Sequence, residues 1–509
     1  MTANVGTFLH RWAQRDPART AIIDSGRKDL ALSYAELDQH ASRVASQLLD
    51  RGLGHGDRVA ICTANGMDFI AAWFGTVYAG CTTLPIPVSS TAHEIAFRLE
   101  HASCQALLTD AGHLSVVRAS KALANTTTEV LLVEDLLHRF EGEAAPCPVT
   151  RDSLAMLLYT SGTTGAAKAV CITHGSLVAH SRSLVEDALH LGEEDRILGT
   201  LPLTHSYGIR TTLLVPFYAG ARTIFVPKFS PVRTLELCTS HRITWIPGVP
   251  TMFVAWASEG SLPAPPALRW CMSAGAPLAE DVRLRAEERL GAPVRQAYGL
   301  TEANLTAINA PPDEAVPGSS GKPVAGVELQ IADEHGAEVP RGAHGEVLVR
   351  GQNLMSGYLD DKLATAHVMR GGWLHTGDIG FVDQHGRLTV ADRSKDLILR
   401  GGASIYPSEI EAVLNQHGAV QSAAVVGQAD EYYGEQVVAV VVARSELTAS
   451  ELDAWARERL APYKLPRRYA FVNELPRGAS GKTLKRLLRD ALTSGAIAAE
   501  PLQPDGLTQ

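Results

Sequence analysis

The strongest constraint in this chain is an alternation of short apolar runs with amphipathic helical patterns. DRVAIC (57–62), LAMLLYT (154–160), ARTIFVP (221–227) and ITWIPGVP (243–250) read as strands. Among the helical patterns, SYAELDQHASRVASQLLDRG, just before the first of these runs, sets Tyr34, Leu37, Ala41, Val44 and Leu48 on one helical face. Strands separated by helices predict α/β layers, here to about residue 390. No internal repeat is evident. The N-terminal stretch, with Val5, Phe8, Leu9 and Trp12 at helical spacing between charged residues, reads as an amphipathic helix of the fold and not as a signal peptide.

After Arg393 the rhythm changes. IYPSEIEAVLNQ starts a helix at Pro407 with Glu409 and Glu411 in its first turn, AVVVAR (439–444) is a strand, and SELDAWARERL opens on a capping box from Ser450 to Asp453. KTLKRLLRDAL is a short basic helix with Leu484, Leu487, Leu488 and Leu492 on one face, and Lys485 reads as an exposed lysine. The expected organisation is therefore a large domain over 1–393 and a small α+β domain over 394–509, joined at Ser394-Lys395, with 494–509 a frayed tail.

Composition narrows the function classes. The 509 residues carry a formal net charge of -9, which disfavours a general nucleic-acid surface. No run approaches the ~18 apolar residues of a membrane span. Seven scattered cysteines without a CxxC pair predict reduced, buried thiols in a cytoplasmic protein, not a disulfide framework or zinc site.

The stretch YTSGTTGAAKAV (159–170) lies between two strand-like runs, with a helix expected from His174. Small residues there can turn several backbone N–H groups toward one point, a nest for an anion such as phosphate. Ser161, Thr163 and Thr164 add hydroxyls, Lys168 adds charge, and Gly162 and Gly165 allow close approach. The spacing is not that of a Walker A loop. The competing reading, which the stretch alone favours less, is an exposed Ser/Thr/Gly linker.

Five islands occur in a fixed order: YTSGTTG, QAYGLTE (296–302), WLHTGD (373–378), DRSKDLILRGG (392–402) and PRGASGKTLKR (476–486). On these motifs the chain resembles the adenylate-forming superfamily, in its acyl-CoA synthetase branch, from about residue 32 to 488. The resemblance implies a large multi-subdomain α/β N-terminal domain that binds AMP and the acyl group, followed by a small mobile α+β domain. It implies that a carboxylate and ATP give acyl-AMP and pyrophosphate, after which a thiol displaces AMP.

The roles carry over by motif. Thr160, Ser161, Gly162, Thr163, Thr164, Gly165 and Lys168 hold the β- and γ-phosphates of ATP. Gly275, Ala276 and Pro277 line the adenine and acyl pocket, and Tyr298 with Gly299 offers adenine a flat face. Thr301 contacts phosphate, Glu302 associates with Mg2+, and Asp378 and Arg393 contact the ribose or phosphate. Lys482 stabilises the adenylation transition state, and Lys395 is the hinge. His205 stands where the acyl and thiol channels meet, and Gly401 and Gly402 border the pantetheine tunnel. Outside these motifs Glu302 would read as a solvated loop acid, TGD as a turn, and His205 as a structural histidine. The family has proline and glycine where this chain has Ala167 and Ala169, and alanine in place of the proline is expected to leave the turn before Lys168 looser. It has glycine where this chain has Asp392.

Coenzyme A is the expected acceptor. A carrier protein's phosphopantetheine ends in the same thiol arm, and the motifs leave both open. An oxygenase resembling luciferase shares the adenylation half, whereas the retained Glu302, Asp378, Arg393 and Lys482 speak against a non-catalytic sensor. The pocket-wall residues His205, Tyr207, Gly208, Ala274 and Gly275 are small or weakly polar, so a fatty or aromatic monocarboxylate is expected.

Overall fold

Residues 3–138, 144–160, 167–260, 262–313, 315–393, 396–400, 403–430, 432–478 and 483–501 are described by the computed structural model. The chain divides into two compact units: 1–278, 282–329 and 349–374 form the first, and 279–281, 330–348 and 375–509 the second. The expected joint at Ser394-Lys395 lies outside the described residues.

In the first unit the described residues build two sheets. One has seven strands in the order Gly357–Tyr358, Lys168–Thr173, Leu154–Thr160, Thr82–Pro85, Arg58–Cys62, Ala106–Thr109 and Glu129–Leu132. It is parallel except at the edge, where Leu154–Thr160 and Lys168–Thr173 form an antiparallel hairpin and Gly357–Tyr358 adds antiparallel to it. The other has nine strands, with Val294–Leu300, Trp270–Ser273, Trp245–Gly248, Arg196–Gly199, Arg222–Phe225 and Thr20–Asp24 as its parallel centre. The alternation expected to residue 390 stops earlier: beyond Lys322 as far as Arg393 the only described helix is the short Lys362–Val368.

The helices form where the apolar spacing places them. Tyr34–Asp50 buries Tyr34, Leu37, Ala41, Val44 and Leu48 and starts in a capping box between Ser33 and Glu36. Every residue of the helix Met67–Tyr78 is buried, as befits a segment apolar on all sides. The two helices cross at Gly75, where an added Cβ would stand 2.5 Å from the Cβ of Val44. Any larger residue there would push them apart. The N-terminal helix Thr7–Arg15 buries Phe8, Leu9 and Trp12. All seven cysteines are unpaired thiols, and burial pushes Cys104 up to about 12. Among the described residues no helix is long and apolar enough to cross a membrane.

In the second unit, the part from Ile398 onward is a sheet with helices on both faces. Its central strand Gly434–Ala443 pairs with Val420–Asp430 and Arg468–Phe471. Along it side chains alternate: Val437, Ala439 and Val441 pack with Ile410, Leu414, Leu452 and Ala456, while Val438, Val440 and Val442 pack with Leu488 and Leu492. A strand covered on both faces reads as an unbroken apolar run. Three expectations are corrected here. The capping box before Ala449–Arg457 joins Thr448 to Glu451, because Thr448 and not Ser450 has the extended backbone of a cap. Leu484 precedes the helix Lys485–Ser494 and Leu487 is exposed, so its apolar face is Leu488 and Leu492 alone. Within the tail expected to fray, Ala499 is buried and Glu500–Pro501 pairs with Arg468–Phe471. Residues 502–509 lie outside the described residues.

Lys485 is likewise not an exposed lysine. Its amine sits 2.9 Å from the Glu411 carboxylate, with both side chains less than one-fifth exposed. Burial pushes Glu411 up, against the lowering effect of Lys485. Removing one partner of such a pair leaves the other charge uncompensated, so Lys485→Met is expected to destabilise this unit by roughly 3 kcal/mol. Adding Glu411→Leu should restore most of that loss. Chemical denaturation followed by Trp455 fluorescence checks both, and equal stability of Lys485→Met and wild type would refute the pair's structural role.

Candidate active site

The edge hairpin carries the first group of site residues. Thr160 pairs with Lys168 at the end of the hairpin where its two strands connect. Residues 161–166, which include Ser161, Gly162, Thr163, Thr164 and Gly165, lie outside the described residues. Ala169 is a buried strand residue opposite Tyr159, packed in the core beside Leu157 and Leu359.

Beside the hairpin, Tyr358 pairs with Val170. Lys168 is two residues before Val170 and so shares its face. The Lys168 amine lies 5.0 Å from the centre of the Tyr358 ring, a cation–π contact. At the far end of that ring the hydroxyl donates to Oε1 of Glu302 at 3.0 Å. Burial first, and then the Glu302 charge, raise the Tyr358 hydroxyl's pKa far above its ordinary value, so it stays a donor through neutral pH. Lys168, Tyr358 and Glu302 thus form one row of cation, ring and anion.

Glu302 sits on the turn between Val294–Leu300 and Asn304–Ile308, and the turn is clamped. The Met355 N–H donates to the Glu302 carbonyl at 2.7 Å. The side-chain amide of Asn304 donates to the Asn353 carbonyl, and that of Asn353 to the Ala303 carbonyl. Tyr298 and Gly299 lie on the strand leading in, with Tyr298 buried, and Thr301 is half-buried beside Glu302.

Two neighbouring parallel strands, Trp245–Gly248 and Trp270–Ser273, end close by one another, the Ala274 N–H donating to the Gly248 carbonyl at 3.2 Å. The C-terminal ends of parallel strands are where open α/β sheets bind ligands. Ala274, Gly275, Ala276 and Pro277 follow directly. Gly275 has φ +92, a backbone conformation that favours glycine, and an added Cβ would meet Val249 Cγ1 at 3.8 Å. Against this end packs the short helix Ser206–Ile209: Tyr207 donates its hydroxyl to the Met272 carbonyl at 3.0 Å. His205 caps that helix, its Nδ1 accepting from the Tyr207 N–H at 3.3 Å, and its side chain is exposed. Gly208 is buried against Pro202.

In the second unit Asp378 and Arg393 face each other across paired strands, Trp373–Val382 and Leu388–Arg393. Arg393 Nε lies 3.1 Å from Asp378 Oδ1. Asp378 is buried, and its N–H donates to Thr376 Oγ1 at 3.0 Å while Thr376 donates to the Val347 carbonyl. Glu346 accepts from the Gly377 N–H at 3.0 Å and holds His375 at 2.8 Å, which fixes the turn carrying Asp378. Asp392 also has a place. It accepts from the N–H groups of Arg393 and Ser408, the latter in the first turn of Pro407–Asn415. It therefore caps that helix from a distant strand. Gly401, Gly402 and Lys482 lie outside the described residues.

Sequence reasoning missed Tyr358, Asn353 and Glu346. The signal for Tyr358 was faint, a lone tyrosine in SGYLDD. Among the described residues no three His, Cys, Asp or Glu side chains cluster as a metal cage. A single carboxylate suits Mg2+, which takes one or two protein oxygens and otherwise substrate phosphates and water.

The family model described as AMP-binding enzyme matches residues 9–359, and that of the AMP-binding enzyme C-terminal domain matches 409–482. A long-chain-fatty-acid–CoA ligase of Bacillus subtilis (strain 168) is 32% identical over 94% of this chain and 93% of its own. The solved structure of ATP-bound MatB from Rhodopseudomonas palustris is 32% identical, with a TM-score of 0.91 over 96% of this chain and 99% of that one. The o-succinylbenzoate CoA synthetase of Bacillus subtilis, solved with its acyl-adenylate intermediate, is also 32% identical, with a TM-score of 0.85 over 95% of this chain and 98% of that one.

The clamp predicts a measurable effect. Tyr358→Phe removes the donor that orients Glu302 while keeping the ring over Lys168. If Glu302 holds Mg2+, the Mg2+ concentration for half-maximal pyrophosphate release should rise about tenfold, as for loss of a hydrogen bond behind a metal ligand. Thermal stability should be unchanged. An unaltered Mg2+ dependence would separate Glu302 from the metal.

Proposed function

The chain belongs to the family of AMP-binding enzymes, the adenylate-forming superfamily, and on that premise we propose that it is an ATP-dependent acid–thiol ligase with coenzyme A as acceptor. A carboxylate oxygen attacks the α-phosphorus of ATP and pyrophosphate leaves. The thiol sulfur then attacks the acyl carbon, AMP leaves with the electron pair of the broken C–O bond, and the thiol proton passes to solvent. The observation that carries the reading is the row of Lys168, Tyr358 and Glu302, which sets one cation and one oriented carboxylate beside the expected phosphate loop.

Each residue has a distinct task in this reading. Lys168, with Thr160 and the segment 161–165, neutralises the β- and γ-phosphates. Glu302 would hold Mg2+, which supplies charge neutralisation between phosphate oxygens when bound. Thr301 donates to phosphate, Tyr298 and Gly299 cover one face of adenine, and Gly275, Ala276 and Pro277 line the other side. Asp378 accepts from the ribose hydroxyls, with Arg393 holding its carboxylate in place. His205 flanks the junction of the acyl and thiol channels, and Gly401 and Gly402 border the thiol arm. Lys482 acts only in the first half-reaction, and a rotation at Lys395 between the halves withdraws it.

The names of the two ligase relatives support coenzyme A over a carrier protein. They also span a fatty and an aromatic acid, which supports a fatty or aromatic acid here. Pyrophosphate release across a panel of such acids, followed by acyl transfer to free coenzyme A, tests the reading. An acyl-adenylate that coenzyme A cannot discharge but a carrier protein can would reverse the choice of acceptor.

Lys482 separates the half-reactions. Its ammonium attracts both the incoming carboxylate and the α-phosphate, most strongly as charge gathers at the attacked phosphorus. Lys482→Ala should slow pyrophosphate release by on the order of 10²–10³. Supplied acyl-adenylate and coenzyme A should still react at near wild-type rate. Paired single-turnover assays read both rates, and equal slowing of the two would refute a lysine specific to adenylation.

A further inference from the structure

Arg210 is 2% exposed. Its Nε donates to Ser206 Oγ at 3.2 Å, while Nη1 and Nη2 are buried without a hydrogen-bond partner among the described residues. Burial pushes its pKa down to about 9, and no carboxylate offsets that shift. The group therefore keeps its charge at neutral pH.

Among the described residues no carboxylate pairs with it. Arg210 opens the π-helical segment Arg210–Leu214, directly after the helix Ser206–Ile209. The neighbouring hydroxyls are used locally: Thr211 donates to the Tyr207 carbonyl and Thr212 to the Gly208 carbonyl. His180 has Nε2 on the Leu305 carbonyl and Nδ1 buried without a partner among the described residues. Burial first, and Arg210's charge second, push His180 down to about 3, so it is neutral and offers no counter-charge. An isolated buried cation is strongly unfavourable, and chains retain one only where something anionic completes it.

The place of this cation indicates what completes it. Arg210 is one turn beyond Ser206, in the element that carries His205, Tyr207 and Gly208. Tyr207 ties that element to Met272, and on the same strand Ser273 Oγ is also buried without a partner among the described residues. Ala274 and Gly275 follow. The free Nη1 and Nη2 edge of a guanidinium is the fork that matches the two oxygens of a carboxylate.

We propose that Arg210 binds a second carboxylate on the acid that this enzyme activates, so that its substrates are dicarboxylic acids. The inference rests on the ligase reading and narrows its substrate class. The expectation of a monocarboxylate rested on wall residues that carry no charge, and Arg210 stands one turn behind them. One carboxyl group is adenylated, and the distal one stays ionised against Arg210. A site built around such a contact rejects the analogue that lacks it, because the fork is then left buried and unmatched.

The test uses the full-length enzyme, ATP and pairs of acids differing only in the distal group: hexanoic against adipic, octanoic against suberic, and benzoic against phthalic and terephthalic acid. Pyrophosphate release gives kcat/KM for each. In at least one pair the diacid should exceed the monoacid by about 100-fold or more. Arg210→Met should invert that ratio, and Arg210→Lys should retain part of it. Monoacids turned over at least as well as diacids in every pair would overturn the inference and leave the ligase reading standing. So would an unchanged ratio in Arg210→Met. If Arg210→Met fails to fold, the wild-type ratios and Arg210→Lys decide. Pyrophosphate release with none of these acids, nor with any other fatty or aromatic acid, would overturn the ligase reading and this inference with it.

Discussion

A two-residue strand holds this site together. Gly357–Tyr358 pairs onto the edge hairpin, flanked by backbone bonds from Ser356 N–H to Cys171 and from Leu359 N–H to Ala169, each 2.9 Å. Leu359 then buries itself among Leu157, Ala169 and Cys171. So short a strand has little pairing strength of its own, and the burial of Leu359 holds it in register. Register matters because a slip of one residue would turn Tyr358 to the other face, away from Lys168. The hydroxyl that orients Glu302 is therefore placed by an apolar contact one residue along the chain.

The same dependence explains which parts of the site were legible. Lys168 and Glu302 stand in motifs, so their residue types and neighbours announce them. Tyr358 is joined to Glu302 across 56 residues, and Ser356 reaches Cys171 across 185. No local periodicity encodes a pairing of that range. The fold divides along similar lines. Apolar faces such as that of Tyr34–Asp50 were legible because helical spacing and burial coincide. The cap of Ala449–Arg457 was misplaced by two residues, since Thr448 and Ser450 are both acceptable caps and only backbone conformation separates them. The tail pairing at Glu500–Pro501 was invisible, because two residues carry no pattern.

Asp392 shows how a departure from a family pattern can be structural. Read in sequence it stands where glycine is usual, beside an arginine expected to contact nucleotide, and no chemistry follows from it. In the fold its carboxylate accepts from the Ser408 N–H, in the first turn of Pro407–Asn415. That turn has exposed donors, and Pro407 lacks an N–H to offer. The same carboxylate accepts from the Arg393 N–H at 2.9 Å, so it ties the backbone under the Asp378–Arg393 pair to the helix. Its effect is on the backbone of Arg393, which it ties to the first turn of that helix.

Rigidity within the second unit bears on how Lys482 can act. Three residues after it in sequence begins Lys485–Ser494, a helix fixed at two kinds of contact. Leu488 and Leu492 pack under the sheet with Val438, Val440 and Val442, and Lys485 pairs with the buried Glu411 of Pro407–Asn415. Arg489 adds an ion pair to Asp396 at 2.7 Å, close in sequence to Lys395. The anchor beyond Lys482 is thus joined to the helix that Asp392 caps and to the segment that follows the expected hinge. A catalytic lysine must sit within a few tenths of an ångström of its productive place, and a side chain on a floppy support loses that precision. The helix that follows Lys482 is tied into the second unit at several points, the firm support that a catalytic lysine at that place requires.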